Sequence, residues 1–153
     1  MSFPYNHRSP GNSRRTLDLT WSRKMPLVRI DVSKSSPAGL ARAIGERVYR
    51  AMHEEINVPE NDHFQILSTH EADELVRPAQ YLGVEYSDGL VFIQITLNQG
   101  RTTELKKRLY RRIAQDVSTE LGLRIQDIFI SLLEVDKENW SFGNGDMQYG
   151  PKS

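Results

Sequence analysis

The sequence predicts an α+β fold in which two βαβ units form one four-stranded mixed sheet with two helices on one face. The first observation is an internal repeat, because residues 65 apart match without a gap, as Val28 matches Ile93 and Phe64 matches Phe129. The second is that apolar residues recur at every fourth position in the middle of each half, as in an amphipathic helix. Each half is therefore predicted to run strand, helix, strand, with right-handed crossovers that make each strand pair parallel.

Four short apolar segments are predicted to be the main strands. In the first of them Arg29 and Asp31 alternate with apolar residues, so one side of the strand faces the core. The opposite face of the sheet is then available to water or to another subunit, and the pattern alone leaves both open. The predicted strands are residues 27–32, 63–68, 91–97 and 128–135.

Two amphipathic helices are predicted between the strands, over residues 40–56 and 105–121. Ser35-Ser36-Pro37 offers a cap and a first-turn proline to the first helix, and Thr102 can cap the second. Gly122 follows the last apolar position of the second helix and is a natural stop.

Two further hairpins are predicted outside the repeat. The connection between the halves, residues 70–88, is expected to hold a short hairpin around residues 80–84. After the last strand, two aromatics and an Asn-Gly pair within residues 138–145 predict a terminal hairpin.

The chain is predicted to contain a single folded domain at residues 25–149, followed by a short tail at 150–153. Residues 1–24 are rich in Arg, Ser, Asn, Pro and Gly and contain one acid, Asp18, which predicts a disordered extension. No apolar block in it suits a secretory signal. An organelle transit peptide stays open on this composition, although an upstream start codon or a tag is favoured.

Composition narrows the function classes. The chain has 20 basic residues (Lys plus Arg) and 20 acidic ones (Asp plus Glu), so its net charge does not attract nucleic acid or an anionic membrane. The chain has no cysteine, which excludes disulfides and thiolate chemistry and fits a cytoplasmic location. The four histidines lack the spacing of a metal site. The longest apolar run, residues 90–93, is far shorter than the roughly 20 residues that span a membrane.

Several motifs occur together in the chain. Pro26 heads the first strand of the duplicated unit, and Pro59-Glu60-Asn61-Asp62 precedes the second strand. Gly100-Arg101-Thr102 leads into the second helix, and Asn139-Trp140-Ser141-Phe142-Gly143 follows the last strand. This combination resembles the tautomerase superfamily, and most of all its malonate semialdehyde decarboxylase branch, over residues 25–149.

The resemblance implies an enzyme that needs no metal or organic cofactor and assembles as a trimer or hexamer, with a homotrimer expected. Such enzymes use an N-terminal proline to move protons on small keto acids, or to hydrate or decarboxylate related acids. The resemblance places the catalytic proline at Pro26, the assisting aspartate at Asp62 and a substrate-binding arginine at Arg101. It places the aromatic walls of the pocket at Trp140 and Phe142.

One loop departs from the decarboxylase pattern. That branch has Arg-Pro-Arg where this chain has Gln99-Gly100-Arg101, so a second guanidinium is missing. Arg101 can still bind a carboxylate with two hydrogen bonds, and Gln99 brings a substrate contact without charge. Simple tautomerase or hydratase activity therefore fits better than decarboxylation.

Catalysis by Pro26 requires that the chain begin at that residue. A proline with a residue before it has a tertiary amide nitrogen, whereas an N-terminal proline is a secondary amine that titrates. In the 153-residue sequence Met25 precedes Pro26. A free amine could act as a base on the carbon next to a carbonyl, or as an acid when protonated.

Each candidate residue also has a structural explanation. Pro26 could simply start an edge strand, and Asp62 could satisfy turn amides as its repeat mate Asp127 could. Arg101 could be one more charge on a solvated helix face, and the two aromatics could cover the core or a subunit seam. Two functions follow: a cofactor-independent tautomerase-type enzyme acting on a small 2-keto or unsaturated carboxylic acid, or a catalytically silent oligomeric scaffold.

Overall fold

The computed structural model describes residues 25–150, so the predicted extension at 1–24 and most of the predicted tail lie outside the described residues. Six strands and two α-helices follow one another in the order that the repeat predicts, with the short hairpin between the halves. The elements are β1 (Leu27–Ser33), α1 (Leu40–Ile56), β2 (Phe64–His70), β3 (Gln80–Tyr81), β4 (Val84–Glu85), β5 (Val91–Asn98), α2 (Thr103–Leu121) and β6 (Ile128–Val135).

The main sheet has the strand order β2-β1-β5-β6. The outer pairs β1 with β2 and β5 with β6 are parallel, and β1 with β5 is antiparallel, which confirms the predicted mixed sheet. In the central pair Val28 lies opposite Ile95 and Ile30 opposite Ile93, so repeat mates exchange places as a local two-fold axis requires. An edge position for the strand after Pro26 is wrong, because β1 is an inner strand held on both sides.

The core lies between one sheet face and both helices, as predicted. Val28, Ile30, Ile93 and Ile95 point from β1 and β5 toward the helices and are fully buried. Each such side chain stabilises the fold by about 1.5–3 kcal/mol relative to an exposed one. The helix residues that meet them are Ile44, Val48, Leu109, Ile113 and Val117.

The helix ends agree with the predictions in two of three places. Thr102 caps α2, since its side chain accepts a hydrogen bond from the Leu105 N–H at 3.2 Å, and Gly122 ends it at φ +73°. The predicted Ser-Ser-Pro cap of α1 is wrong: the helix begins after Gly39, at φ +81°, without a side-chain cap. Ser35 instead shares a hydrogen bond with the Ser33 hydroxyl at 2.8 Å in the turn that follows β1.

The hairpin between the halves is confirmed as β3 and β4, but the terminal hairpin is wrong. Residues 136–150 form a 3₁₀ turn, Lys137–Asn139, and bends without a strand. The Gln148 side chain accepts a hydrogen bond from the Phe142 N–H at 2.8 Å and donates one to the Gly143 carbonyl at 2.9 Å. A side-chain amide therefore takes the backbone partners that a second strand would have supplied.

The sheet face away from the helices is open and partly apolar. We call it the open face and define it by Phe64, Ile66, Phe129 and Leu133, whose exposed fractions range from 40 to 53%. Two of them lie on each edge strand, β2 and β6, and exposed apolar side chains on one sheet face mark a surface that another molecule can cover.

Candidate active site

A cleft of about 260 Å³ lies at the beginning of β1. Met25, Pro26 and Leu27 form one side of it, and Phe64 of β2 and the segment 140–142 form the others. Pro26 is buried and directly precedes Leu27, which pairs with Phe64 on one side and Thr96 on the other. The sheet therefore places the head of an inner strand in the wall of a pocket.

The far wall of the cleft is aromatic. The rings of Trp140 and Phe142 stack with centroids 5.5 Å apart, and Tyr149 meets Phe142 edge-on at 5.1 Å. The indole N–H of Trp140 donates to Asn98 Oδ1 at 2.7 Å. Because β5 and β6 end side by side, with Asn98 opposite Val135, the segment after β6 returns across the end of β5.

Arg101 is joined to this cleft through the same asparagine. Its Nη1 donates to the backbone carbonyl of Asn98 at 2.5 Å, while its Nε and Nη2 are buried and have no hydrogen-bond partner among the described residues. Burial lowers the pKa of the guanidinium, and the nearby Glu134 carboxylate raises it. Arginine stays charged at neutral pH, so a cation presents two unused parallel donors, which is the geometry that a carboxylate accepts.

Asp62 and its repeat mate differ in their surroundings. Asp127 is 2% exposed and accepts hydrogen bonds from the Ser87 N–H at 2.8 Å and the Ser87 hydroxyl at 2.5 Å, so it is a structural acid. Asp62 lies half-buried in the turn before β2, where its N–H donates to the Pro59 carbonyl at 3.2 Å. The repeat therefore places an aspartate before the returning strand in both halves, and the two differ in how deeply they are buried.

The structure brings together some of the sequence-predicted residues. Pro26, Trp140 and Phe142 line the cleft. Arg101 does not line it, but hydrogen bonds of Asn98 to both residues link Arg101 to Trp140. Asp62 lies two residues before the lining residue Phe64 but does not line the cleft itself. The Gln99 side-chain amide donates to the Asp136 carboxylate, and the backbone N–H of Gln99 donates to the Val135 carbonyl at 3.0 Å.

The sequence interpretation missed Asn98 and Phe64. Asn98 is 4% exposed although it occupies a position whose neighbours on the same strand face, Thr96 and Gln94, are half-exposed. The signal was an amide at the end of an otherwise apolar strand, next to the arginine loop. Its burial depends on the returning aromatic segment, which strand periodicity does not describe.

Across residues 25–150 no helix is long and apolar enough to cross a membrane. The same residues hold no cluster of three or more His, Cys, Asp or Glu side chains that could bind a metal ion.

Comparison with known proteins places this geometry among tautomerases. Residues 62–143 match the family model described as tautomerase enzyme. The chain is 44% identical over 124 residues to the probable tautomerase YusQ of Bacillus subtilis (strain 168), covering 81% of this chain and 98% of that protein. It is 28% identical over 125 residues to the probable tautomerase YrdN of the same organism, covering 82% and 96%.

Solved structures share the fold. FG41 malonate semialdehyde decarboxylase, inhibited by 3-bromopropiolate, superposes with a TM-score of 0.73 at 33% identity, over 80% of this chain and 93% of that one. A second malonate semialdehyde decarboxylase superposes at 0.71 with 24% identity, over 80% and 95%. A fused 4-OT described as a symmetric trimer superposes at 0.63 with 23% identity, over 78% and 93%.

Proposed function

The chain belongs to the tautomerase superfamily and is a tautomerase-type enzyme, and from this premise we propose that it moves a proton on a small 2-keto or unsaturated carboxylic acid through Pro26. The observation that carries the proposal is the Nε and Nη2 edge of Arg101, which is buried, charged and unused within the described residues. Asn98 links Arg101 to Trp140, which lines the cleft that Pro26 helps to form.

The proposed reaction needs an amine and a guanidinium. With Pro26 as the first residue, its neutral secondary amine takes a proton from the enol hydroxyl or from the carbon next to the carbonyl, and the protonated amine returns it to the other position. Arg101 binds the substrate carboxylate through Nε and Nη2 and stabilises the negative charge that spreads over the enolate. We place Asp62 as an assisting group that orients water or favours the protonated amine.

The lining of the cleft supports a monocarboxylate with an apolar portion. Trp140 and Phe142 offer flat apolar surface, and Arg101 is the cation linked to Trp140 through Asn98. Gln99 brings no charge, and its side chain is engaged by Asp136. These features favour tautomerisation or hydration over a reaction that needs two cationic contacts.

The position of Met25 makes the start of the chain decisive. Met25 lines the same cleft. In any chain that retains Met25, its carbonyl group is bonded to the Pro26 nitrogen, which is then an amide nitrogen that cannot act as a base. We therefore infer that activity requires translation from Met25 with loss of that methionine, or cleavage before Pro26.

A comparison of two chains tests the proposal. The 153-residue chain and a chain that begins at Pro26 are assayed for conversion of enol phenylpyruvate to the keto form by ultraviolet absorbance. We expect turnover only in the shorter chain, and loss of it when the amine is acylated. Equal rates in both chains would remove Pro26 from the mechanism. Intact mass of protein made from the native gene then shows which form exists.

We also propose that copies of the chain assemble through the open face, as a homotrimer. Its four exposed apolar residues support this, and the fused 4-OT neighbour described as a trimer has the same fold. Phe64 belongs to both the open face and the cleft, so assembly would border the site. The alternative of a silent oligomeric scaffold predicts the same assembly, measured by analytical ultracentrifugation, with no turnover by either chain.

A further inference from the structure

We propose that Asn98 is a positioning residue that holds Arg101 and Trp140 in a fixed relation across the end of β5. The inference rests on the proposed function of the same site and identifies how its cation and its aromatic wall are oriented. Two groups of one residue do this: the backbone carbonyl binds Arg101 Nη1 at 2.5 Å, and the side-chain oxygen binds Trp140 Nε1 at 2.7 Å.

The backbone contact determines which edge of Arg101 stays available. A guanidinium has five N–H donors in a rigid plane, so fixing Nη1 on one acceptor also fixes the direction of the Nε and Nη2 edge. That edge is the part of Arg101 without a partner among the described residues. Asn98 thereby turns a flexible side chain into an oriented carboxylate receptor before substrate arrives.

The side-chain contact determines the plane of Trp140. An indole has a single polar atom, and burying its N–H without an acceptor costs about 1–3 kcal/mol. The ring therefore keeps the orientation in which Nε1 faces Asn98, and in that orientation it stacks on Phe142. Without the acceptor, the indole would be free to rotate toward water.

The location of Asn98 suits this role. The β1–β5 register ends at Leu27 opposite Thr96, so continuing it by one residue sets Pro26 opposite Leu97, the neighbour of Asn98. The repeat mate of Asn98 is Ser33, which also ends a strand but bonds only locally, to Ser35. Because β1 and β5 are antiparallel, Ser33 ends β1 far from the cleft, whereas Asn98 ends β5 beside Pro26.

The test uses the chain that begins at Pro26, because Trp140 is then its only tryptophan, the other being Trp21. Asn98→Leu removes the acceptor while keeping a side chain of similar size. We expect red-shifted emission, greater quenching by acrylamide, and a KM for phenylpyruvate that rises about tenfold with a smaller change in kcat, as for lost positioning of a binding group. Asn98→Asp keeps an acceptor oxygen and should keep the native emission.

Two further variants complete the test. Gln94→Leu makes the same chemical change on the same strand face and should leave emission and KM unchanged.

Trp140→Phe removes the donor from the other side of the bond. The double variant with Asn98→Leu should have the KM of the worse single variant, because the two changes break one interaction. If Asn98→Leu does not fold, Asn98→Ala decides, because it also removes the acceptor: red-shifted emission with a raised KM supports the proposal, and native emission with an unchanged KM overturns it.

Native emission and quenching in a folded Asn98→Leu chain, or fully additive effects in the double variant, would overturn the positioning role. The fluorescence arm requires no turnover. An inactive chain that begins at Pro26 would therefore count against the proposed function, while the emission of Trp140 would still decide the role of Asn98.

Discussion

Replacing Arg101 by Met is the sharpest test of the site. The substitution removes the charged fork and keeps most of the apolar stem. In the free protein Arg101 makes one hydrogen bond, from Nη1 to Asn98, and buries Nε and Nη2 without partners among the described residues. The two unpaired donors therefore do not hold the fold together, and under the proposed function they bind the substrate carboxylate.

The expected size follows from those two donors. A hydrogen bond to a charged group contributes about 1.5–3 kcal/mol, so losing two of them costs at least about 3 kcal/mol of substrate and transition-state binding. At 1.36 kcal/mol for each factor of ten, kcat/KM should fall by about 100-fold or more. Stability should change in the other direction, because a buried unsatisfied donor costs about 1–3 kcal/mol and Met has none.

The assay is kcat/KM for phenylpyruvate in the chain that begins at Pro26, together with the free energy of unfolding in urea. Arg111→Met is the matched control, since Arg111 is an exposed arginine of the adjoining helix α2. We expect the control to keep full activity. A fall of less than about tenfold in Arg101→Met, or a fall accompanied by a comparable loss of stability, would refute the reasoning.

Three other outcomes are expected. Asp62→Asn should lower turnover by about 100-fold at unchanged melting temperature, whereas Asp127→Asn should cost about 2 kcal/mol of stability in thermal unfolding at unchanged turnover. Burial raises the pKa of Asp116, but hydrogen bonds from Arg112 and Arg50 outweigh it and hold the pKa below its usual value. The stabilisation is thus present at pH values above the usual pKa of an aspartate and is lost as the pH falls through the lower, folded value. The cost of Asp116→Asn in urea unfolding, about 1 kcal/mol near neutral pH, should therefore disappear in acid. Glu134→Gln removes a carboxylate whose negative charge offsets that of Arg101, so a competitive monocarboxylate should bind more tightly. Its inhibition constant should fall several-fold at low salt and less at high salt, and an inhibition constant equal to that of the unsubstituted chain at both salt concentrations would contradict that effect.

Periodicity was enough to predict the elements of this protein because it is a local property. The 65-residue repeat and the four-residue spacing from Leu40 to Ile56 give each segment one apolar side, and the short connections leave parallel pairing within each half as the one solution. The signals at Thr102 and Gly122 are equally local, and both are confirmed. The resemblance of scattered motifs then indicated the family.

Tertiary packing decided what no single segment encodes. Two βαβ units can join through different edges, and only the assembled core shows that β1 and β5 pair and that Pro26 heads an inner strand. The burial of Asn98 depends on a segment some forty residues later, which returns because β5 and β6 end together. By itself the sequence determined the fold class, and it indicated the candidate proline, aspartate, arginine and aromatics. The oriented arginine edge required the folded chain, because hydrogen bonds between distant residues exist only after the strands have aligned.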